Sequence, residues 1–303
     1  MFIFVFDFPR KSKKYYLYKS TNMKQIYILL IALLMGLSAK AESSGTCGPN
    51  LKWHLTDDGV LTITGNGEMD DYYIFSPWRD SGVKRIIIGN RVTTIGQTAF
   101  SGCSSLTSVT IPNSVTTIGG WAFSICSSLT SVTIPNSVTT IGDNAFMGCS
   151  SLTSVTIPNS VTTIGGEAFS DCTNLQKVNI GNSVKTIGEF AFNKCTNITQ
   201  ISSEAVVPPT CESGVFFYVN TSKCKLIVPK NSLDAYKQAY QWEDFSLIEG
   251  STTGITNTVN NKAGLVDVYT IDGAKRLSKA STDEINALPK GVYIVNGKKI
   301  IIK

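Results

Sequence analysis

Eight cysteines are the residues of this sequence with the clearest chemical potential, and five of them recur at one fixed spacing. The recurring cysteines, 23 residues apart, are Cys103, Cys126, Cys149, Cys172 and Cys195. This interval is not a zinc-ligand spacing, and no histidine accompanies it. In a stacked fold it places one thiol about 5 Å above the next, but side chains in register point the same way. We therefore expect small buried hydrophobic side chains rather than metal ligands or disulfides.

The single histidine, His54, lies in the segment LKWHLTDDG beside a group of carboxylates. The carboxylates are Asp57, Asp58, Glu68, Asp70 and Asp71. Paired acids can hydrolyse glycosides or hold Ca²⁺, but these are adjacent in sequence and lie at turns. That placement favours solvated turns, with Ca²⁺ as the alternative, and strand alternation favours a structural role for His54. Because the sequence also lacks a nucleophile elbow, a P-loop and a zinc signature, we expect no enzyme activity, no cofactor and no metal.

The 23-residue interval belongs to a repeat of a whole segment, not of the cysteines alone. Five copies in register occupy residues 83–105, 106–128, 129–151, 152–174 and 175–197. Their pattern is L-x-x-V-x-I-P-N-S-V-x-x-I-G-x-x-A-F-x-x-C-x-x, and the apolar positions are the same in each copy. A fixed period of this length is typical of a solenoid, in which each copy buries its apolar face against its neighbours.

Short strands and tight turns are expected within each copy. The V-x-I alternation in LTSVTIP predicts a strand with Val and Ile inward, and the proline that follows ends it because proline has no N–H. Gly119 marks a tight turn, and no copy has room for a long helix. We predict one coil per copy, parallel stacked strands, and one internal column of the shared phenylalanines. That column comprises Phe100, Phe123, Phe146, Phe169 and Phe192.

The repeat resembles the BspA-like leucine-rich repeats of bacterial surface proteins. The signature A-F-x-x-C-x-x-L-x-x-V-x-I-P-x-S-V-x-x-I-G runs without departure from Ala99 to Gly119, although Gly89 and Gly181 replace proline elsewhere. Residues 42–82 resemble the β-hairpin cap that opens such arrays, and residues 83–250 the array with its closing cap. The resemblance implies a β-rich leucine-rich-repeat solenoid that mediates protein–protein or cell adhesion, with extracellular proteins or other cells as partners.

The positive charge of this chain is concentrated at its N-terminus. Residues 1–41 carry a net charge of +6, whereas the whole chain carries +5. The array has no Lys or Arg between Leu106 and Asn174, so it lacks the basic stripe that nucleic acid requires. Nucleic acid is therefore excluded as an expected partner.

Residues 23–41 have the features of a secretory signal peptide. A lysine precedes an apolar run that ends in Ala-Lys-Ala, which predicts cleavage after Ala41. Residues 1–22 then read as an over-extended start. A membrane anchor is the alternative, but the run is short for a span, and no later segment reaches about 20 apolar residues. We predict an exported mature chain without a transmembrane helix.

The segment 265–303 is predicted to form a small antiparallel β domain. Its apolar–polar runs VDVYTI, GVYIVN and KKIIIK are bounded by the hairpin dipeptides Asp272-Gly273 and Asn296-Gly297. It resembles the C-terminal sorting domain of type IX secretion cargo, which implies contact with secretion machinery and the cell surface of a Gram-negative bacterium. An accessory β module is the alternative. Residues 251–264, rich in Gly, Thr and Asn, read as a linker.

Three cysteines remain outside the 23-residue series. Cys211 and Cys224 fall in the closing coil, and in an oxidising compartment they are candidates for a disulfide. Cys47 has no obvious mate.

Two surfaces of the array are candidates for binding. The first is a flat, nearly uncharged strand face of hydroxyl side chains with a polar last rung. Its members are Thr107, Ser108, Thr110, Thr130, Ser131, Thr133, Thr153, Ser154, Thr156, Gln176, Lys177 and Asn179. The second is a variable strip around the A-F pair, with large side chains that the core pattern does not explain. Its members are Trp121, Ile125, Met147, Glu167 and Phe190.

Neither surface is selected by the sequence. Recent duplication would also explain the uniform face, and drift would explain the variable strip. A passive structural or spacer module of the cell envelope therefore remains an alternative function. A glycan- or ice-binding threonine array is a further one, although the Gln176, Lys177 and Asn179 rung breaks its lattice.

Overall fold

The computed structural model describes residues 43–251, 266–270, 274–280, 288–289, 291–295 and 298–302. The expected start region, the signal peptide, the cleavage site after Ala41 and nearly all of the 251–264 linker lie outside the described residues.

The described chain is almost entirely β-structure, with one 3₁₀ turn, Lys230–Ser232, and one short helix, α1, Leu233–Tyr236. The strands are β1 (Ser43–Gly48), β2 (Leu51–Leu55), β3 (Val60–Gly65), β4 (Gly67–Glu68), β5 (Arg85–Ile88), β6 (Val92–Ile95), β7 (Ser108–Thr110), β8 (Thr117–Ile118), β9 (Thr140–Ile141), β10 (Ser154–Ile157), β11 (Thr163–Ile164), β12 (Lys177–Ile180), β13 (Thr186–Ile187), β14 (Gln200–Ser203), β15 (Thr210–Cys211), β16 (Lys225–Pro229), β17 (Leu247–Ser251), β18 (Val266–Thr270), β19 (Lys275–Ala280), β20 (Gly291–Val295) and β21 (Lys298–Ile302). In these residues no helix is long and apolar enough to cross a membrane.

The array begins with an antiparallel unit that turns into the stack. Strands β1, β2 and β3 pair antiparallel, and β3 then pairs in parallel with β5. The third strand of the predicted cap is therefore also the first rung of the solenoid. Trp78 takes the place of the repeat phenylalanine in this coil, and its indole Nε1 donates a 2.8 Å hydrogen bond to the Ala99 carbonyl.

One ladder of parallel strands runs through the array without a break, in the order β4-β6-β8-β9-β11-β13-β15. Its register advances by one repeat per rung, so Thr117 lies opposite Thr140 and Thr163 opposite Thr186. The prediction of one coil per repeat with parallel stacking is confirmed along this ladder.

The second ladder is interrupted, which the sequence did not predict. It consists of β1-β2-β3-β5-β7 and, separately, β10-β12-β14-β16-β17. Between them, residues 130–135 of the third repeat do not form a strand. The sequence LTSVTIPN is identical in this repeat and in those on either side, so no local sequence feature accounts for the break.

An aromatic column runs through the core, as predicted. All five repeat phenylalanines have no exposed surface. Centroids of successive rings are 5.2 Å apart from Phe100 to Phe169 and 5.4 Å apart between Phe169 and Phe192. Trp78 extends the column at one end and Phe216 at the other. The ring spacing follows the separation of the hydrogen-bonded coils.

The cysteine column lies beside the phenylalanines, and its thiols are free and buried, as predicted. The Cys126 thiol donates to the Phe100 carbonyl at 3.3 Å and the Cys149 thiol to the Phe123 carbonyl at 3.2 Å. The contact recurs in the next two coils. Burial raises the pKa of Cys149 to about 12, so this group is a neutral thiol at physiological pH.

Aromatic side chains close the far end of the array. Phe216 contacts Trp242 and Phe245, with centroids 5.1 Å apart in both pairs. The Trp242 Nε1 donates to the Pro209 carbonyl at 2.8 Å, and the Tyr236 hydroxyl to the Ala205 carbonyl at 2.9 Å. The last coil is thus covered by side chains whose polar atoms are satisfied.

The C-terminal strands form a separate antiparallel sheet in the order β19-β18-β20-β21. Val268, Tyr293 and Val295 are buried there and are packed by Leu277, Leu288 and Ile300. The predicted small antiparallel unit is confirmed as a fold.

Replacing Phe146, in the middle of the column, with alanine should cost about 3–5 kcal/mol of unfolding free energy because a buried ring leaves a cavity. Urea denaturation followed by circular dichroism measures the loss. Phe217→Ala is the control: that ring is 53% exposed, so its removal should cost about 1 kcal/mol or less. Equal losses would contradict the column as the main support of the stack.

Candidate interaction surface

The arc of each coil around the Ala-Phe pair forms a continuous ridge along the solenoid, which we call the A–F ridge. It comprises residues 96–102, 119–125, 142–148, 165–171, 188–194 and 212–218. In each coil the backbone N–H groups alternate between local bonds and bonds to the next coil. Those of Trp121, Phe123 and Ile125 donate to the carbonyls of the following coil at 2.7–2.9 Å. The same three bonds recur from Thr98 through Lys194, so the ridge is not interrupted where the strand face is.

This alternation places two residues of every coil in the left-handed backbone conformation, one before the alanine and one two positions after the phenylalanine. The pairs are Thr98 and Gly102, Trp121 and Ile125, Asn144 and Gly148, Glu167 and Asp171, Phe190 and Lys194, and Gly214 and Tyr218. Glycine and asparagine adopt this conformation readily, whereas other L-residues lose roughly 1–2 kcal/mol there. The sequence did not reveal this, because all six of these coils lack glycine at one or both positions.

Trp121 and Ile125 are the strongest departure from that preference. Their φ angles are 58° and 59°, and a β-branched residue such as isoleucine is an outlier there. Their side chains are nevertheless 39% and 50% exposed. The fold therefore holds two large apolar side chains at the surface in a backbone conformation that neither favours.

A second apolar patch lies at the far end of the ridge. Phe217 and Tyr218 are 53% and 62% exposed. Phe190, predicted as a contact residue, is half-buried and so less exposed than these two. Its ring lies on Gly214, where an added Cβ would overlap it. The centroid of its ring is 6.3 Å from that of Phe217. Met147 and Glu167 are half-buried as well.

Phe217 and Tyr218 were not among the predicted contact residues. The five copies that the repeat pattern predicts end at residue 197, and the next coil departs from that pattern. Aligning Val215-Phe216 with the Ala-Phe pair of the earlier copies would have identified both residues.

Charge is segregated between the faces of the array. Residues 83–225 contain six acidic and eight basic side chains. The ridge holds five of the acidic ones: Asp143, Glu167, Asp171, Glu189 and Glu212. It holds only one basic side chain, Lys194, whose Nζ is 3.4 Å from Asp171 Oδ1. The ridge is therefore acidic, while Arg85, Lys177 and Lys225 lie on the strands of the other face.

Two ridge carboxylates also accept backbone hydrogen bonds across coils. Asp143 Oδ1 accepts from Gly166 N at 2.7 Å, and Glu212 Oε2 accepts from Glu189 N at 3.1 Å. Each bond uses one oxygen of a side chain that remains exposed.

The strand face is exposed as predicted, but its hydroxyls are not all free for a ligand. All twelve predicted residues lie at the surface. The Thr107 hydroxyl donates to the Lys84 carbonyl at 3.0 Å and the Thr153 hydroxyl to the Thr130 carbonyl at 3.5 Å. At these two positions the hydroxyl therefore also bonds the backbone of the preceding coil. The missing strand at residues 130–135 also breaks the face at its middle rung.

Cys211 and Cys224, the candidates for a disulfide, are both free, buried thiols in the structure. Cys211 ends β15 in one ladder, whereas Cys224 directly precedes β16 in the other, so the two belong to different faces of the coil. Burial raises the pKa of Cys211 to about 12 and that of Cys224 to about 11.

Two acidic residues of the N-terminal unit, Asp58 and Asp71, accept hydrogen bonds. Asp58 accepts a hydrogen bond from the Thr56 hydroxyl, which lowers the pKa of Asp58. Asp71 Oδ1 accepts from Gln97 N at 2.6 Å. His54 is exposed on β2, opposite Ser44 and Thr62. Within the part of the chain that the structure describes, no three His, Cys, Asp or Glu side chains are grouped to hold a metal ion.

Comparison with known proteins identifies the repeat. No curated protein matches the sequence. Among solved structures, the chain is similar to a leucine-rich repeat protein of T. pallidum, with 27% identity and a TM-score of 0.46 over 58% of this chain and 91% of that one. It is also similar to a leucine-rich cell surface protein of Faecalibacterium prausnitzii A2-165, with 26% identity and a TM-score of 0.43 over 78% of this chain and 61% of that one. The model of the BspA type leucine-rich repeat region matches six copies within residues 73–199 and 121–246. These matches span more than half of the chain, which belongs to the BspA type leucine-rich repeat family.

Proposed function

We propose that this protein is exported to the cell surface and binds extracellular proteins or other cells through the A–F ridge. The observation that carries the proposal is the pair Trp121 and Ile125. Both are large apolar side chains that are exposed, and both have the left-handed backbone conformation that their residue types disfavour. Strain of this kind persists only where the surrounding structure enforces it, and it concentrates at contact sites. Exposed aromatic side chains are also the type that contributes most binding energy at protein interfaces.

The ridge is a better candidate than the strand face for two reasons. Its hydrogen bonds continue through six coils, whereas the strand face is broken at residues 130–135. It also offers large apolar side chains, whereas the strand face offers small hydroxyls, some of them bonded to backbone carbonyls. A regular glycan- or ice-binding lattice would need an unbroken face.

Export rests on the two ends of the chain. The signal peptide predicts entry into the periplasm, and the C-terminal sheet has its own apolar cluster of Val268, Tyr293 and Val295. A tail with its own cluster can be recognised by a secretion machine separately from the array. We therefore assign residues 265–303 a sorting role, with residues 251–264 as the segment where the tail is removed.

Replacing Trp121 with Asn and Ile125 with Gly tests the contact role of the ridge. These are the residues that the next coil has at the same positions, Asn144 and Gly148, so the backbone strain should fall. We expect an unchanged or higher thermal midpoint, together with loss of binding in a screen of immobilised matrix proteins.

Thr133→Lys on the strand face is the matched control and should leave that binding intact. If Thr133→Lys alone abolishes binding, the strand face is the contact site. If the wild-type chain binds nothing in the screen, the spacer interpretation is favoured. A large fall in the thermal midpoint of the Trp121 and Ile125 variant would show that these side chains support the core.

Deleting residues 265–303 should trap a folded array in the periplasm, because the tail carries the sorting signal in this proposal and the array has its own core. Cell fractionation locates the product, and mass spectrometry of the mature C-terminus detects removal of the tail. Unchanged surface display after the deletion would identify the tail as an accessory module. An intact Lys303 on surface-exposed protein would refute removal of the tail.

A further inference from the structure

The chemistry of the A–F ridge narrows the kind of partner that it fits. Its middle coils carry four acidic side chains: Asp143, Glu167, Asp171 and Glu189. Lys194 lies beside Asp171, which leaves three carboxylates without an opposing charge on the ridge. Apolar side chains flank this acidic stretch on both sides, Trp121 and Ile125 in the second coil and Phe217 and Tyr218 in the sixth.

The spacing of the two apolar patches follows from the stack. Four coil steps separate them, and parallel strands are about 4.8 Å apart, which gives a separation of about 19 Å along the solenoid axis. An extended polypeptide advances about 3.3 Å per residue, so six residue steps cover about 20 Å. Side chains at alternate positions of such a segment point to one face.

We infer that the ridge binds an extended, cationic segment of a partner protein. Two apolar side chains six residues apart lie on the two patches, and Lys or Arg side chains between them lie over the carboxylates. The inference rests on the proposed function and adds the chemistry of the partner. Opposed charge on the two surfaces speeds encounter and rejects acidic segments, and the apolar ends provide the desolvated contacts.

Trp121 is a built-in reporter for this site. Of the four tryptophans, Trp53, Trp78 and Trp242 are buried, and Trp121 alone is exposed. Quenching of tryptophan fluorescence by acrylamide therefore reports mainly on the ridge.

The test uses the full chain and the heptapeptide Leu-Ser-Lys-Ser-Lys-Ser-Leu, which has no tryptophan. We expect this peptide to protect Trp121 from acrylamide and the protection to weaken with added salt. The same peptide with Glu in place of both Lys should give no protection.

Neutralising three ridge carboxylates together, with Asp143→Asn, Glu167→Gln and Glu189→Gln, should weaken binding of the Lys peptide by about fivefold or more. Asparagine keeps the acceptor that bonds Gly166 N, so this variant preserves the fold. Glu204→Gln is the matched control, because Glu204 is exposed but lies outside the ridge.

Three results would overturn the inference. The Lys peptide gives no protection at millimolar concentration, both peptides protect equally, or the ridge is covered by a second copy of the chain. The last case would appear as self-association in sedimentation that the triple variant removes.

These failures of the inference are distinct from failure of the proposed function. If Trp121→Asn with Ile125→Gly abolishes binding of matrix proteins but the Lys peptide does not bind, the ridge is a contact site for partners of another chemistry.

Discussion

The stack depends on one constraint: every coil must bury the same side chains at the same height, because each coil forms its hydrogen bonds with its neighbours. The phenylalanine column shows the constraint most directly, with ring centroids 5.2 Å apart over four coils. Four of the five column thiols follow it, since each of these donates to a carbonyl one coil away. A residue inserted into an inner coil would shift both columns. In the first coil, Tyr73, Ile74 and Phe75 are exposed before Trp78 enters the core, and this departure lies at an end of the stack.

The same constraint determines where the surface can vary. Along the strands, inward side chains are fixed, and the outward threonines partly serve carbonyls of the preceding coil. At the A–F ridge the backbone is fixed in every coil, including its two left-handed residues, whose side chains lie outside the phenylalanine column. The left-handed positions therefore recur in every coil, but the side chains at them differ. Trp121 and Ile125 occupy these positions in one coil, and Glu167 and Asp171 occupy them two coils later. A binding surface can change on such a ridge without disturbing the column beneath it.

The 23-residue period of the sequence made the core residues predictable. The left-handed backbone conformation of the ridge residues could not be predicted from their side-chain types. The Phe100 to Phe192 column, the buried cysteines and the coil per repeat follow from spacing alone, because identical spacing forces identical depth. The left-handed residues do not follow, since tryptophan and isoleucine are among the residues least expected there. The break at residues 130–135 could not be predicted from a sequence identical to that of its neighbours. Sequence distance also does not show that Cys211 and Cys224 belong to different ladders.

At the left-handed ridge positions, the side chains that favour stability differ from those that favour binding. At a core position, a larger apolar side chain adds buried area and stabilises the fold. At a left-handed ridge position, it adds exposed apolar area and costs roughly 1–2 kcal/mol of backbone strain. Gly148 and Asn144 show that the fold itself accepts unstrained residues at these positions. A fold optimised only for stability would therefore repeat those residues in every coil. Trp121 and Ile125 oppose that preference at one end of the acidic stretch and Tyr218 at the other, where a cationic chain with apolar ends would be held.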